Sequence, residues 1–342
     1  MSFNLYDHIL GGLLGQALGD AWGMPAYLSP EDTWEKYGGW VDRFYPGPED
    51  HPVHGGLQPG QVTDDTEQAF ALADSIIAWG GVTIEGVAEA VLNWYEAVGG
   101  DTSPFVGPST TRAVQALRRG VSPHESGLHG DTNGAAMRVS PVGLIHPGDP
   151  EWAVRDAALS CIPTHNTDVA ASGAAAVAGA VAQALTNGAT LEEIVVAGQD
   201  AAVEGRRHGE RWMGASISWR IAQAAEVASS NKPVRKRLRD LYDTIGTSLA
   251  MTEAVPAAFG VLVMAEGDPL QAAIYAANLS GDADTVGAMA CAIAGAWKGA
   301  EAFSSQVVTT LKEANPNLDF EGVARGLEKI ALKNMTAGNR LG

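Results

Sequence analysis

Apolar positions along this chain recur mainly at helical spacing. Ile84, Val87, Ala88, Val91, Leu92 and Tyr95 fall at i, i+3, i+4, i+7, i+8 and i+11, which is one face of an amphipathic helix. Thr83 stands just ahead of them as a cap. The stretches 167–185 and 285–303 are rich in alanine, the strongest helix former. Further helical windows are predicted near 109–119, 151–160, 190–204, 210–228, 233–246, 251–265, 268–278 and 320–333. Alternating β-branched runs bounded by turns are absent. The pattern therefore predicts an all-α fold of a dozen or more helices rather than a sheet.

The first helix carries Gly11, Gly15, Gly19 and Gly23 at every fourth position. Each glycine costs a helix about 1 kcal/mol relative to alanine. Close approach of another helix backbone, or of a ligand, would offset that cost. Residues 29–61 are rich in proline, glycine and aromatics and lack periodicity. A loop of that length suggests a functional or lid segment. Residues 99–108 form a shorter one. Neither resembles a Ser/Gly linker and no tandem repeat is present, so one domain spanning 1–342 is expected.

Composition narrows the function. Forty acidic residues against 22 basic ones give a formal charge of −18, a field that repels nucleic acid and anionic membrane and favours cations. The basic patches are short: Arg118–Arg119, Arg206–Arg207 and Arg235–Arg239. Cys161 and Cys291 sit among small or apolar neighbours and read as buried free thiols, with no zinc spacing. The first residues lack a basic leader and include Asp7. The alanine-rich stretch after Asp168 suits a close-packed helix better than a membrane span. A cytoplasmic protein with neither nucleic-acid nor membrane partners is the expectation.

Two helix starts carry more oxygen than capping requires. In "VTDDTEQAF", Asp64 as N-cap with Glu67 three residues on would make a capping box. That leaves Thr63 and Asp65 unexplained, and adjacent carboxylates repel unless a cation lies between them. In "SGDADTVGAMACAIAGA", Asp282, Asp284 and Thr285 again precede a long apolar helix. The alternation of Asp282 and Asp284 would place both on one side of an extended segment. Together Thr63, Asp64, Asp65, Asp282, Asp284 and Thr285 form an all-oxygen set suited to hard divalent cations. Two readings stand at this point: a joint two-metal site or two separate sets of caps. An EF-hand does not fit, since neither segment has its twelve-residue ligand ladder.

The segments "GQALGDAWGMP", "TDDTEQA", "NGAAMRVSPVG", "THNTD" and "SGDADTVGAMACAIAGAW" occur in an order that resembles the ADP-ribosylglycohydrolase family, over most of the chain. The resemblance implies a compact orthogonal multi-helix bundle with two Mg²⁺ ions, or Mn²⁺, at the bottom of a cleft. It implies hydrolysis of an N- or O-glycosidic bond at the ribose C1 of an ADP-ribosyl or related N-ribosyl substrate, either a modified protein or a small molecule. Thr63, Asp64, Asp65, Asp282, Asp284 and Thr285 match the metal-binding positions. Asp65 and Asp282 are the candidates for handling protons at the reacting bond.

The same resemblance assigns Asp20, Tyr27, Thr132, Asn133, Gly134 and His165 to the substrate side. Asp20 is there in a supporting role, and Thr132–Gly134 supply backbone donors to a pyrophosphate. Arg138 is either a phosphate contact or part of a structural ion pair, and Asp131 or Asn133 alternatively caps a helix. Two departures stand out. Tyr27 occupies the place where many members carry a glutamate, and Ser280 replaces a frequent glycine. Tyrosine cannot serve as a carboxylate base near neutral pH. An inactive member that only binds ADP-ribose or a nucleotide is therefore the alternative, and cleavage of the pyrophosphate is a weaker third reading.

Overall fold

The computed structural model describes residues 3–338. Among them are seventeen α-helices and no β-strand. The first seven are α1 Leu5–Gly23, α2 Pro30–Lys36, α3 Asp64–Trp79, α4 Ile84–Ala97, α5 Pro108–Arg118, α6 Gly134–Met137 and α7 Ser140–Leu144. Next come α8 Pro150–Cys161, α9 Asp168–Ala184, α10 Leu191–Gly205, α11 Ile217–Ala228 and α12 Val234–Thr244. The last five are α13 Met251–Met264, α14 Pro269–Leu279, α15 Ala283–Lys298, α16 Ser305–Ala314 and α17 Phe320–Gly338.

The predicted windows fall on helices, and Thr83 caps α4 by accepting from the Gly86 amide. The 210–228 window is a correction. It becomes helical only at Ile217, because its first residues pair with the start of α9. The Glu210 amide donates to the Asn166 carbonyl, the Asp168 amide to the Glu210 carbonyl, and the Trp212 amide to Asp168 Oδ1. Residues 29–61 are likewise not wholly aperiodic. Ser29 accepts from the Asp32 amide and Pro30 follows at the first turn, which starts the short helix α2. Seven residues are too few to show periodicity, so only the cap signals it.

Helices α1, α9 and α15 form the centre and are buried along nearly their whole length, on all sides. Alanine and glycine suit that position, since thin helices let the surrounding ones approach closely. Cys161 and Cys291 are buried free thiols, as expected. Among the described residues no helix is long and apolar enough to cross a membrane.

The glycine stripe on α1 is explained by α15, which runs antiparallel to it. A Cβ added at Gly11 would lie 2.3 Å from the Gly295 carbonyl oxygen, and one at Gly15 would lie 2.0 Å from that of Cys291. At Gly19 the same atom would meet the Gly287 oxygen at 2.0 Å, and at Gly23 the Ala283 oxygen at 2.4 Å. The contact is mutual, for a Cβ at Gly287 would meet the Gly19 oxygen at 2.4 Å. The two backbones therefore touch over about three turns, and no side chain larger than hydrogen fits between them. Gly12 lies off this seam, where the nearest atom is the movable Leu144 Cδ2 at 2.8 Å. Gly19→Ala is expected to destabilise the fold by about 3 kcal/mol, the upper end of the overpacking range. Gly12→Ala should stay within about 1 kcal/mol of wild type. Chemical denaturation of the two variants side by side checks this.

Candidate active site

The crossing of α1 and α15 sets the start of α15 beside the end of α1. A carboxylate on α1 then draws in the start of α3. Asp20 is fully buried and accepts from the Thr63 amide (3.0 Å), Thr63 Oγ1 (2.9 Å), the Thr66 amide (3.1 Å) and Thr66 Oγ1 (2.5 Å). Thr66 is the third residue of α3, whose amide an N-cap side chain would ordinarily satisfy. Asp20 thus caps α3 from another helix.

This overturns the expected capping box. Thr63, not Asp64, is the N-cap, and Asp64 opens the helix. Glu67 turns away and accepts from Trp94 Nε1 at 2.9 Å. Asp64 and Asp65 are released from capping, and both face a cavity. At the second helix start, Asp282 occupies the N-cap position but makes no capping bond. The two acids there do not alternate along an extended segment, because the helix already begins at Ala283. Asp282 accepts instead from Asn133 Nδ2, and its amide donates to the Thr247 carbonyl at 2.8 Å.

The cavity has a volume of about 660 Å³, within the usual range for a small-molecule site. Asp64, Asp65, Asp282, Asp284 and Thr285 lie on its wall, as do Thr132, Asn133 and Gly134. Apolar parts come from Phe105, Val106, Met137 and Leu249. Among the described residues the wall contains five carboxylates, with Glu253 the fifth, and no lysine or arginine.

Burial and the Asp284 charge push Asp64 and Asp65 well above the usual carboxylate range. Burial raises Asp20 to about 7 and, with the Asp284 charge, Asp282 to about 7. Burial also acts against charge on Asp284, but His54 outweighs it and holds that carboxyl below the usual range. His54 Nε2 lies 3.1 Å from Asp284 Oδ2.

The chemistry of this donor set suits a divalent cation. Asp65 Oδ1 is buried without a hydrogen-bond partner, and a buried carboxylate oxygen in that state is costly unless a cation or proton meets it. Among the described residues no three acidic, imidazole or thiol groups yet converge as a closed ligand cage. The acids line one cavity without forming such a cage.

The remaining predicted residues divide. Thr63 lies just behind the wall, where its hydroxyl is shared with Asp20 Oδ1 and, at 3.2 Å, Asp65 Oδ2. Asn133 stands at the N-cap of α6 but makes no side-chain cap, and its amide is already bonded to the Leu249 carbonyl at 3.0 Å. One of the three expected backbone donors is therefore taken. His165 is fully buried behind Thr132, with Nε2 3.1 Å from Thr132 Oγ1 and Nδ1 2.7 Å from Thr164 Oγ1. Burial keeps it neutral.

Asp20 lies beneath the cavity with its oxygens occupied. Tyr27 is also off the wall, since its hydroxyl donates to Asp50 Oδ1 at 2.9 Å. Among the described residues Arg138 has no ion-pair partner, and it is not on the cavity wall. It is buried, and donates to Gln68 Oε1 (2.9 Å) and Thr164 Oγ1 (2.6 Å). Asp131 accepts from Trp212 Nε1 at 2.9 Å.

Three contributors escape a reading of motifs. His51 and His54 enter from the 29–61 loop, where the His-x-x-His spacing was the available signal. Phe105 comes from the second loop. Thr247, Ser248 and Leu249 form a strap whose carbonyls hold the amides of Asp282 and Asn133, and nothing in "GTSLA" announces that role.

Comparison with known proteins agrees with this architecture. The family model described as ADP-ribosylglycohydrolase matches residues 1–339. The chain is 35% identical over 325 residues to YegU, an uncharacterized protein of Escherichia coli (strain K12), covering 94% of this chain and 97% of that one. It is 28% identical over 307 residues to the ADP-ribosylarginine hydrolase Tri1 of Pseudomonas putida (strain GB-1), covering 86% and 71% of the two chains. A solved structure described as an ADP-ribosylglycohydrolase-related protein complex superposes with a TM-score of 0.69 at 23% identity, over 96% of this chain and 99% of that one. That last likeness concerns the fold.

Asp20→Asn replaces an acceptor with an amide that faces four donors. It is expected to cost about 2 kcal/mol and to loosen the start of α3. Urea denaturation, with exchange protection of the Thr63 and Thr66 amides, checks both effects.

Proposed function

The chain belongs to the ADP-ribosylglycohydrolase family, and we propose that it cleaves the glycosidic bond at the ribose C1 of an ADP-ribosyl or related N-ribosyl substrate at the acid-lined cavity. Membership makes it a hydrolase of the glycosidase type. The observation that carries the proposal is the gathering of Asp64, Asp65, Asp282 and Asp284 on one cavity, with an unpartnered oxygen on Asp65.

These acids, with Thr63 and Thr285, are the residues to hold two Mg²⁺ or Mn²⁺ ions. When bound, such ions supply Lewis acidity toward water and toward the ribose hydroxyls. Their positive charge also offsets the mutual repulsion of the acids. Asp282 is oriented by Asn133 and Thr247, so its carboxylate is aimed before substrate arrives. Asp65 has one oxygen engaged by Thr63 and one free. The free oxygen is where a cation or a proton would be met, and Asp65 and Asp282 are the candidates to take up or return a proton as the bond to the leaving group breaks.

With no lysine or arginine on the wall among the described residues, phosphates would be met by neutral donors, Thr132 Oγ1 and the Gly134 amide among them. A cationic leaving group such as a guanidinium suits the acidic wall better than an anionic one. The named activity of the Pseudomonas relative makes ADP-ribosylarginine the first substrate to try.

Asp65→Ala and Asp284→Ala are each expected to lower turnover by about 100-fold or more and to weaken divalent-cation binding. Product mass decides the bond. Free ADP-ribose indicates glycosidic cleavage, whereas AMP with ribose phosphate would place the reaction at the pyrophosphate. Unimpaired turnover in either variant would sink the assignment.

A further inference from the structure

We infer that His54 contributes its Nε2 to the cation centre between the two acid-rich helix starts, making the donor set mixed nitrogen and oxygen and biasing it toward Mn²⁺ over Mg²⁺. The inference rests on the cation-binding role proposed above for the carboxylates.

His54 is buried at 7% exposure, and its ring is held on several sides. Nδ1 lies 2.8 Å from the Met24 carbonyl oxygen. A carbonyl only accepts, so Nδ1 carries a proton whether the ring is charged or neutral. Burial opposes charge on the ring, but Asp284 outweighs it and raises the His54 pKa to about 9, so a cation would displace the Nε2 proton to reach the lone pair there. The His54 amide donates to His51 Nδ1 at 2.9 Å, and the two rings stack in parallel with centroids 4.8 Å apart. Phe105 flanks the same ring with a centroid distance of 6.0 Å. The direction of Nε2 is thus decided before any ligand arrives.

That nitrogen faces Asp284 Oδ2 at 3.1 Å, on a wall with no lysine or arginine among the described residues. A lone pair and a carboxylate oxygen at this distance need a positive species between or upon them. An added proton on the ring is one solution, and a divalent ion taking both atoms as ligands is the other. The second answers two further observations together. The unpartnered Asp65 oxygen belongs to the same wall and also lacks a cation. The bond from the far ring nitrogen to a carbonyl is the usual support of a metal-binding histidine, because it sets the tautomer and the ring angle. Imidazole favours transition metals, whereas an all-oxygen set also accommodates Mg²⁺.

The test uses the full chain, stripped of cations and loaded with Mn²⁺. Pulsed electron spin resonance is expected to show nitrogen modulation of directly bound imidazole, and ¹⁵N-labelled histidine should change its pattern. His54→Asn keeps an amide nitrogen near the place of Nδ1, able to hold the Met24 carbonyl, but removes Nε2. It is expected to abolish the modulation and to lower Mn²⁺ affinity by about tenfold or more, with a smaller loss for Mg²⁺ by calorimetry. Bound Mn²⁺ without imidazole modulation in the wild-type chain would overturn the role of His54 and leave the carboxylate centre standing. Modulation that persists in His54→Asn would also overturn it. Failure of the wild-type chain to bind either ion would overturn the carboxylate centre, and this inference with it.

Discussion

Backbone contact between α1 and α15 determines where everything else in the site lies. Gly11, Gly15, Gly19 and Gly23 let carbonyls of α15 approach to distances that a single methyl group would block. Helices at that separation have little freedom to slide, since each glycine is matched to one turn of its partner. The start of α15, with Asp282 and Asp284, is therefore registered against the end of α1, where Asp20 lies. Asp20 in turn grips Thr63 and Thr66 and brings Asp64 and Asp65 to the same place. Two stretches more than two hundred residues apart in sequence meet through one glycine seam and one buried carboxylate.

Such a meeting is electrostatically unfavourable on its own. Burial and proximity push Asp20, Asp64, Asp65 and Asp282 toward their protonated forms. A helix bundle that needed only stability would not place these groups together, because apolar side chains would fill the same space at lower cost. The neutral partners around them are specific. Asn133 aims Asp282, Gln68 donates to Asp64 at 3.1 Å, and the 247–249 strap ties the α15 start to the α6 turn. These bonds orient the acids without cancelling their charge. His54 is the basic side chain that reaches Asp284.

Several of these relations could be read from the chain, and the misreadings have physical causes. "TDDTEQAF" shows too many oxygens for a helix start, and the surplus was legible. Which oxygen caps was not, because the decisive acceptor, Asp20, comes from a different helix. Glu67 has capping-box spacing but finds Trp94, a partner that exists only once α4 has packed. The start of the 210–228 window carries helix-compatible residues, yet Asp168 and Asn166 draw it into an extended pairing with α9. Tyr27 holds a position that resemblance associates with the cleft, but Asp50 offers its hydroxyl a nearer partner. Ser280, read as a substitute for glycine, adopts a left-handed φ of 70° and donates to Thr33 Oγ1, a bond that accompanies the strained backbone.

By itself the sequence determined the helical class, the four-residue glycine period and the two oxygen-rich helix starts. Those are local properties, set by spacing along one chain segment and by the chemistry of each side chain. Only the tertiary structure decided that the two starts share one cavity, that Asp20 gives its support by capping α3 from another helix, and that His54 enters from a loop without helical period. Each of those outcomes depends on which backbones can approach each other and which buried donors remain unmet. Such long-range conditions of packing and desolvation leave no periodic mark on the sequence.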